Sequence, residues 1–228
     1  MKKITIILAL AALCLAACDK TENEQGIIDL FIGNEDILSS PGLTDYNAID
    51  YIGFVDESVS NWTEDESSNL SIVRTGGYLV FTGKNNCYVW HDISLNSSSD
   101  FQFEINMQLD FSGTDYDRRM GMIFGQSDRE FNFYTVTRHS NSWTVSVGRN
   151  NNGTVTEWYE KGITFNPSAE HLFTLRKIGN KMSFFLDEKY LYTTDYDKFA
   201  ANYGFLLPKF GVIKVQNIKI DYIRQKND

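Results

Sequence analysis

The sequence predicts an all-β protein in which two antiparallel sheets stack as a sandwich. Residues 101–111 alternate strictly: Phe101, Phe103, Ile105, Met107, Leu109 and Phe111 are apolar, whereas Gln102, Glu104, Asn106, Gln108 and Asp110 are polar. That period of two belongs to a strand with one buried face and one wet face. At least ten short strand-like segments of this kind occur, separated by clusters of Gly, Asn, Asp and Ser. No stretch of ten or more residues holds a helical period. Strands buried on both faces in a parallel sheet would read as unbroken apolar runs, so the alternation favours antiparallel sheets packed on one side.

The chain opens with an export signal. Lys2 and Lys3 supply its positive end, and residues 4–13 are apolar. A spanning helix needs about 20 apolar residues, so this run is too short to cross a bilayer. Leu15-Ala16-Ala17-Cys18 closes the signal. The small residues expose the bond before Cys18 to a peptidase, and the pattern resembles the bacterial lipobox, whose cysteine is diacylated. The expected organisation is a signal peptide at 1–17, a polar lipid-anchored tether at 18–26 and one sandwich domain at 27–228. Cys14 leaves with the signal and Cys18 carries lipid, which leaves Cys87 without an intrachain disulfide partner. Asp19, Glu22 and Glu24 follow the lipidated cysteine, and the expected location is the outer membrane, at its surface or its periplasmic face.

Charge narrows the partners. The chain has 21 Lys plus Arg against 30 Asp plus Glu, a formal charge of −9. Nucleic acid is a poor partner, because binding it needs a basic surface. Anionic headgroups repel the same surface, so the membrane contact expected is the lipid on Cys18.

The elements follow in order. Residues 27–31 are a first strand or the end of the tether, and Ser39-Ser40-Pro41-Gly42 is a turn. Strands are expected at 78–82 and at 87–93, the second burying the Cys87 thiol. After 101–111 come 119–125, 131–138 and 142–148, where Trp143, Val145 and Val147 share one face. Asn150-Asn151-Asn152-Gly153 offers residues that tolerate positive φ, and 154–159 returns from it. Residues 171–178 and 181–186 flank Gly179-Asn180, a two-residue hairpin signal. Strands at 189–193 and 211–222 complete the set, and Pro41, Pro167 and Pro208 fall between strands, where a missing N–H costs no ladder bond.

Several segments together resemble a known family. They are Asp56 with Asn61-Trp62, Phe101-Gln102-Phe103-Glu104-Ile105, Gly121-Met122-Ile123-Phe124, Asn132-Phe133-Tyr134, Leu175-Arg176-Lys177-Ile178-Gly179 and Phe184-Phe185-Leu186. Their order is similar to that of the concanavalin A-like lectin/glucanase superfamily, particularly its domains in bacterial envelope lipoproteins. The resemblance covers roughly residues 53–222 and rests on core aromatics and turn glycines. It implies a two-sheet antiparallel jelly roll; activity must be argued from the site, because one sandwich hosts many unrelated functions.

The residues do not supply hydrolase chemistry. Retaining hydrolysis uses two carboxyls about 5–5.5 Å apart. The related glucanases carry Glu-x-Asp-x-x-Glu on one strand, and the nearest match here is Glu104-Ile105-Asn106-Met107-Gln108-Leu109. Asn106 stands at the second carboxylate position and Leu109 at the third, and neither an amide nor an alkyl side chain is a general acid or a nucleophile. His91, His139 and His171 lack ligand spacing and are expected at surface or edge positions. Asp110, Asp115, Asp117 and Asp128 gather around one turn without the fixed pattern of a calcium loop. No metal or cofactor is expected.

What remains is aromatic: 4 Trp, 12 Tyr and 16 Phe. Rings stack on the apolar faces of sugars while amides and guanidinium groups bond the hydroxyls. Neighbours on a strand point to opposite faces, so one of Trp158 and Tyr159 is expected outside. Asn132, Tyr134 and Arg138 share a face of a strand expected nearby. These five residues form the expected ligand platform, for a glycan bound without catalysis. The alternatives are a protein-interaction or structural subunit of an envelope complex and a divergent glycoside hydrolase.

Overall fold

The structure is a computed structural model that describes residues 46–53, 62–64, 69–92, 98–125, 129–195 and 202–225. The signal, Cys18, the tether, segment 27–31, Pro41 and Asp128 lie outside the described residues. Fifteen strands are described: β1 (Tyr46–Gly53), β2 (Trp62–Glu64), β3 (Leu70–Thr75), β4 (Tyr78–Gly83), β5 (Cys87–Asp92), β6 (Asp100–Asp110), β7 (Arg118–Gly125), β8 (Glu130–Arg138), β9 (Trp143–Asn151), β10 (Thr154–Ile163), β11 (His171–Ile178), β12 (Lys181–Leu186), β13 (Lys189–Asp195), β14 (Asn202–Leu207) and β15 (Val212–Gln225). The sequence reading lacks β1, β2, β3 and β14. Each alternates weakly or is short, and β14 holds Gly204 at its centre.

Two sheets form, and every pairing among the described strands is antiparallel. One has the order β13-β12-β11-β6-β15-β4-β3, with β1 also on β15; the other has the order β10-β9-β8-β7-β14-β5-β2. The length of β15 explains its three neighbours: residues 212–215 pair with β4, residues 219–225 pair with β1, and most of its other edge pairs with β6.

The core lies between the sheets. Phe101, Phe103, Ile105, Met107 and Leu109 are 0 % exposed, so the alternation in β6 reads the correct face. Rings from opposite sheets meet: Phe103 and Tyr203 at 5.0 Å, Tyr134 and Phe173 at 5.0 Å, and Phe81 and Phe205 at 5.0 Å between centroids. The Cys87 thiol is buried in this core. The polar face of β6 is half-buried under a network rather than open to water. Arg176 Nε donates to Gln102 Oε1 at 2.8 Å, Gln102 Nε2 donates to Glu104 Oε1 at 2.7 Å, and Asn106 donates to Glu170 and Gln216.

Both turn signals form hairpins. In the β9–β10 turn Asn152 and Gly153 take φ of 51° and 88° between paired Asn151 and Thr154. Two successive positive φ values match the right-handed twist of the flanking strands. Gly179 and Asn180 likewise separate paired Ile178 and Lys181.

Candidate functional site

The seven-stranded sheet decides where a ligand can meet the protein, and the parity of β8 decides which side chains face it. Asn132, Tyr134, Val136 and Arg138 point inward. Tyr134 is fully buried and donates from its hydroxyl to the Phe185 carbonyl at 2.8 Å. Burial pushes its phenol well above the ordinary tyrosine range. Asn132 is buried, and Arg138 donates to the Phe111 carbonyl at 2.8 Å with Tyr116 under its guanidinium. The outward platform expected of Asn132, Tyr134 and Arg138 is therefore the inner face of the strand. The error is one residue of parity: β8 carries both aromatic rings and polar groups on each face, so alternation does not say which is outside.

Trp158 and Tyr159 do not oppose each other either. The register of β10 on β9 shifts between Glu157 and Tyr159, a bulge. An extra residue rotates the following side chain, so adjacent residues need not point to opposite faces. Both rings are half-buried against the main core, with Tyr159 stacked on Tyr192 at 5.4 Å.

The opposite parity of β8 builds the site. Phe131, Phe133, Thr135 and Thr137 face outward, beside Tyr88 and Trp90 of β5, Arg119 and Ile123 of β7, Ser146 and Asn150 of β9, and Leu206 of β14. Trp90, Ile123, Phe131 and Phe133 form a second apolar cluster, separate from the main core, with Tyr88 and Leu206 packed on it. Tyr88 lies on Phe131 with centroids 5.1 Å apart. A cleft of about 370 Å³ opens here, lined by Tyr88, Phe131 and Phe133, by Asn86 and Asn150, by Asp117, Arg118 and Arg119, and by Val155 and the 206–208 segment. That volume lies within the usual range of small-ligand sites, about 300–1,000 Å³.

Glycines clear the floor of this face. Gly121, Gly148 and Gly204 stand in register beside Thr135, Phe133 and Trp90. A Cβ on Gly148 would lie 2.5 Å from Phe133 Cζ, and one on Gly121 would lie 2.8 Å from the Tyr134 carbonyl oxygen. Side chains there would fill the trough. Arg119 instead folds along it, its guanidinium 4.5 Å from the Phe133 centroid and its Nη2 2.5 Å from Glu157 Oε1. Trp90 Nε1, Arg119 Nη1, Thr135 Oγ1 and Ser146 Oγ are buried without a hydrogen-bond partner, and all four belong to this face. Buried polar atoms are normally satisfied, so such a grouping marks a place where water or ligand belongs.

Of the acidic turn, Asp110 caps Ser112 N at 2.8 Å and Asp117 holds His139 Nδ1 at 2.6 Å. Among the described residues no group of three or more His, Cys, Asp or Glu side chains is arranged to hold a metal. His91 and His171 are buried rather than at the surface, and His171 Nδ1 lies 2.7 Å from Asp187. Glu104 sits on the other sheet, away from the cleft.

The cleft residues missing from the sequence reading are Tyr88, Phe131, Phe133, Asn86, Asn150, Arg118 and Arg119. The signal the sequence offered is Phe131-Asn132-Phe133-Tyr134, which places rings on both faces of one strand.

No protein-family model and no curated protein sequence matches this chain. Solved structures do. The carbohydrate-binding module CBM66 from Bacillus subtilis aligns with a TM-score of 0.52 at 16 % identity, over 71 % of this chain and 95 % of that one. The Emp46p carbohydrate recognition domain, metal-free, aligns at 0.54 and 11 % over 71 % and 88 %. The catalytic domain of an endo-1,3-beta-glucanase (laminarinase) from Thermotoga petrophila RKU-1 aligns at 0.55 and 10 % over 80 % and 99 %. At such identities the likeness speaks for the fold alone. The chain has the concanavalin A-like jelly-roll fold that the sequence resemblance implies.

Proposed function

We propose that this chain is an envelope lipoprotein whose sandwich binds glycan, without cleaving it, in the cleft on the outer face of the seven-stranded sheet. The observation that carries the reading is the lining: rings at Tyr88, Phe131 and Phe133 beside amides and arginines at Asn86, Asn150, Arg118 and Arg119. Rings meet the C–H faces of sugars and the polar groups meet their oxygens. Two of the similar structures are a carbohydrate-binding module and a carbohydrate recognition domain, which supports the reading. Among the described lining residues Asp117 is the one carboxylate, and it is engaged by His139. Two-carboxylate hydrolysis therefore lacks a second acid there.

A glycan array probed with the protein tests the reading. Tyr88 is the accessible ring, and stacking on one ring is worth about 1–3 kcal/mol on the nucleobase scale, so Tyr88→Ala should weaken binding about 5- to 150-fold. An array without signal, or equal signals from the parent and Tyr88→Ala, removes the reading.

The anchoring part rests on Leu15-Ala16-Ala17-Cys18 and on the acidic residues behind it. Cys18→Ser should abolish palmitate labelling; a labelled variant overturns the lipid anchor. A glycan-binding sandwich is most useful where large glycans occur, so we place the lipid in the outer membrane. Protease shaving of intact cells should digest a surface domain, and a protected domain leaves the periplasmic face.

A further inference from the structure

We infer that the cleft selects an acidic glycan, one bearing carboxylate or sulfate groups; this rests on the glycan-binding reading and names the ligand class for the same site. The inference comes from what the cleft has left to offer. Asn86 Oδ1 accepts a hydrogen bond from the Lys209 backbone N–H at 3.0 Å, and Asn150 Oδ1 accepts one from the Gly153 N–H at 3.1 Å. A backbone N–H cannot donate to an amide nitrogen, so these bonds fix both amide orientations. Each asparagine is left with its Nδ2 as a donor.

The arginines add donors and charge. Arg118, the first residue of β7, is exposed and lines the cleft. It has no hydrogen bond or ion pair among the described residues. Asn86 immediately precedes β5 at the same end of the sheet, because Cys87 pairs with Leu207 and Leu206 pairs with Gly121. Arg119 commits Nη2 to Glu157, and its Nη1, without a partner, is buried, which leaves Arg118 as the exposed guanidinium of the lining. The carboxylate of the lining, Asp117, is already bonded to His139 at 2.6 Å.

The free side-chain nitrogens are therefore all donors, and one carries an uncompensated positive charge. A neutral sugar presents hydroxyls that both donate and accept, and a set in which donors outnumber the one carboxylate, Asp117, leaves most of the donating capacity of those hydroxyls unused. A carboxylate or sulfate only accepts, and it matches the guanidinium fork with two or three oxygens. In a chain of net charge −9, Arg118 puts an exposed guanidinium without an ion pair among the described residues beside the aromatic rings of the cleft.

Calorimetry on the purified protein tests this with four oligosaccharides: galacturonate, its methyl ester, a sulfated galactan and a neutral xylan. Loss of a charge-assisted hydrogen bond predicts that the methyl ester binds about 10- to 100-fold more weakly than the free acid. Arg118→Gln should lower affinity for the acid by a similar factor and leave the ester unchanged. Because Arg118 is exposed, this variant keeps the fold, which circular dichroism verifies. Binding of the sulfated oligosaccharide but not the galacturonate upholds the class and assigns the anion to sulfate; the converse assigns it to carboxylate. Equal affinity for acid and ester, tightest binding of the neutral xylan, or an unchanged Arg118→Gln variant overturns acidic selectivity while glycan binding stands. Failure of all four to bind overturns the acidic inference. The array and Tyr88→Ala then judge glycan binding separately.

Discussion

Arg119 and Glu157 face each other across the outer surface of the seven-stranded sheet, Nη2 to Oε1 at 2.5 Å, with the guanidinium resting on the Phe133 ring. The two residues belong to β7 and β10, strands separated by β8 and β9. Arg119 reaches that far because Gly121, next on its face of β7, has no side chain to block it. The pair is thus a strap over the trough that holds Thr135 and Ser146.

The strap should matter more to binding than to folding. Side-chain exposures of 28 % and 33 % leave the pair screened by water, and such pairs contribute about 0–1 kcal/mol. Glu157→Gln should shift the urea midpoint by less than about 1 kcal/mol equivalent while raising affinity for an anionic oligosaccharide, because a second guanidinium is released. A weaker-binding Glu157→Gln protein would show that the carboxylate itself touches ligand.

The two faces of β6 should respond unequally to truncation, by less than alternation alone suggests. Phe103→Ala opens the core and should cost about 3–5 kcal/mol. Gln102→Ala, at a half-buried position bonded to Arg176 and Glu104, should cost about 1–2 kcal/mol. Chemical denaturation of both variants checks the ranking, and equal midpoints would mean that the faces are reversed.

Trp158→Ala and Tyr159→Ala should fail in the same way. Both rings pack on the core beside the bulge, so each truncation should cost about 1–3 kcal/mol. Neither should lower glycan affinity in the fraction that remains folded. A variant of near-native stability with lost binding would return the site to β10.

Alkaline pH should destabilise the domain partly through Tyr134. Its phenol is held above the ordinary value of 10.0, first by burial and then by the negative charge of Asp187. Below about pH 10 the folded and unfolded states both keep the proton, so its contribution is complete there. As pH rises past the unfolded value, the unfolded chain ionises first and stability falls. Tyr134→Phe should lose about 1 kcal/mol at pH 8 through the Phe185 carbonyl bond. It should also show a shallower decline between pH 9 and pH 11, in urea midpoints measured across that range. Tyr78 and Tyr159 are raised as well, so the decline should be reduced rather than abolished. An unchanged slope would remove Tyr134 from the alkaline response.

The sequence by itself determined the strands that carry a clean period and the turns that carry a positive φ. Residues 101–111 could only bury Phe101, Phe103 and Ile105 together, because side chains alternate along any strand. Asn152-Gly153 and Gly179-Asn180 likewise carry their hairpins locally. What the tertiary structure decided was the outside. Phe131-Asn132-Phe133-Tyr134 carries rings at both parities, so no local pattern separates Tyr134 in the core from Phe133 under the cleft. That choice came from the opposite sheet, where Phe173 and Phe184 receive Tyr134. The bulge at Glu157–Tyr159 is equally invisible in sequence, since it arises from how β10 must register on β9. The cleft gathers Asn86, Arg118, Phe133 and Asn150 from four separate segments. Their convergence depends on the strand order β9-β8-β7-β14-β5, a long-range pairing that short-range periodicity does not encode.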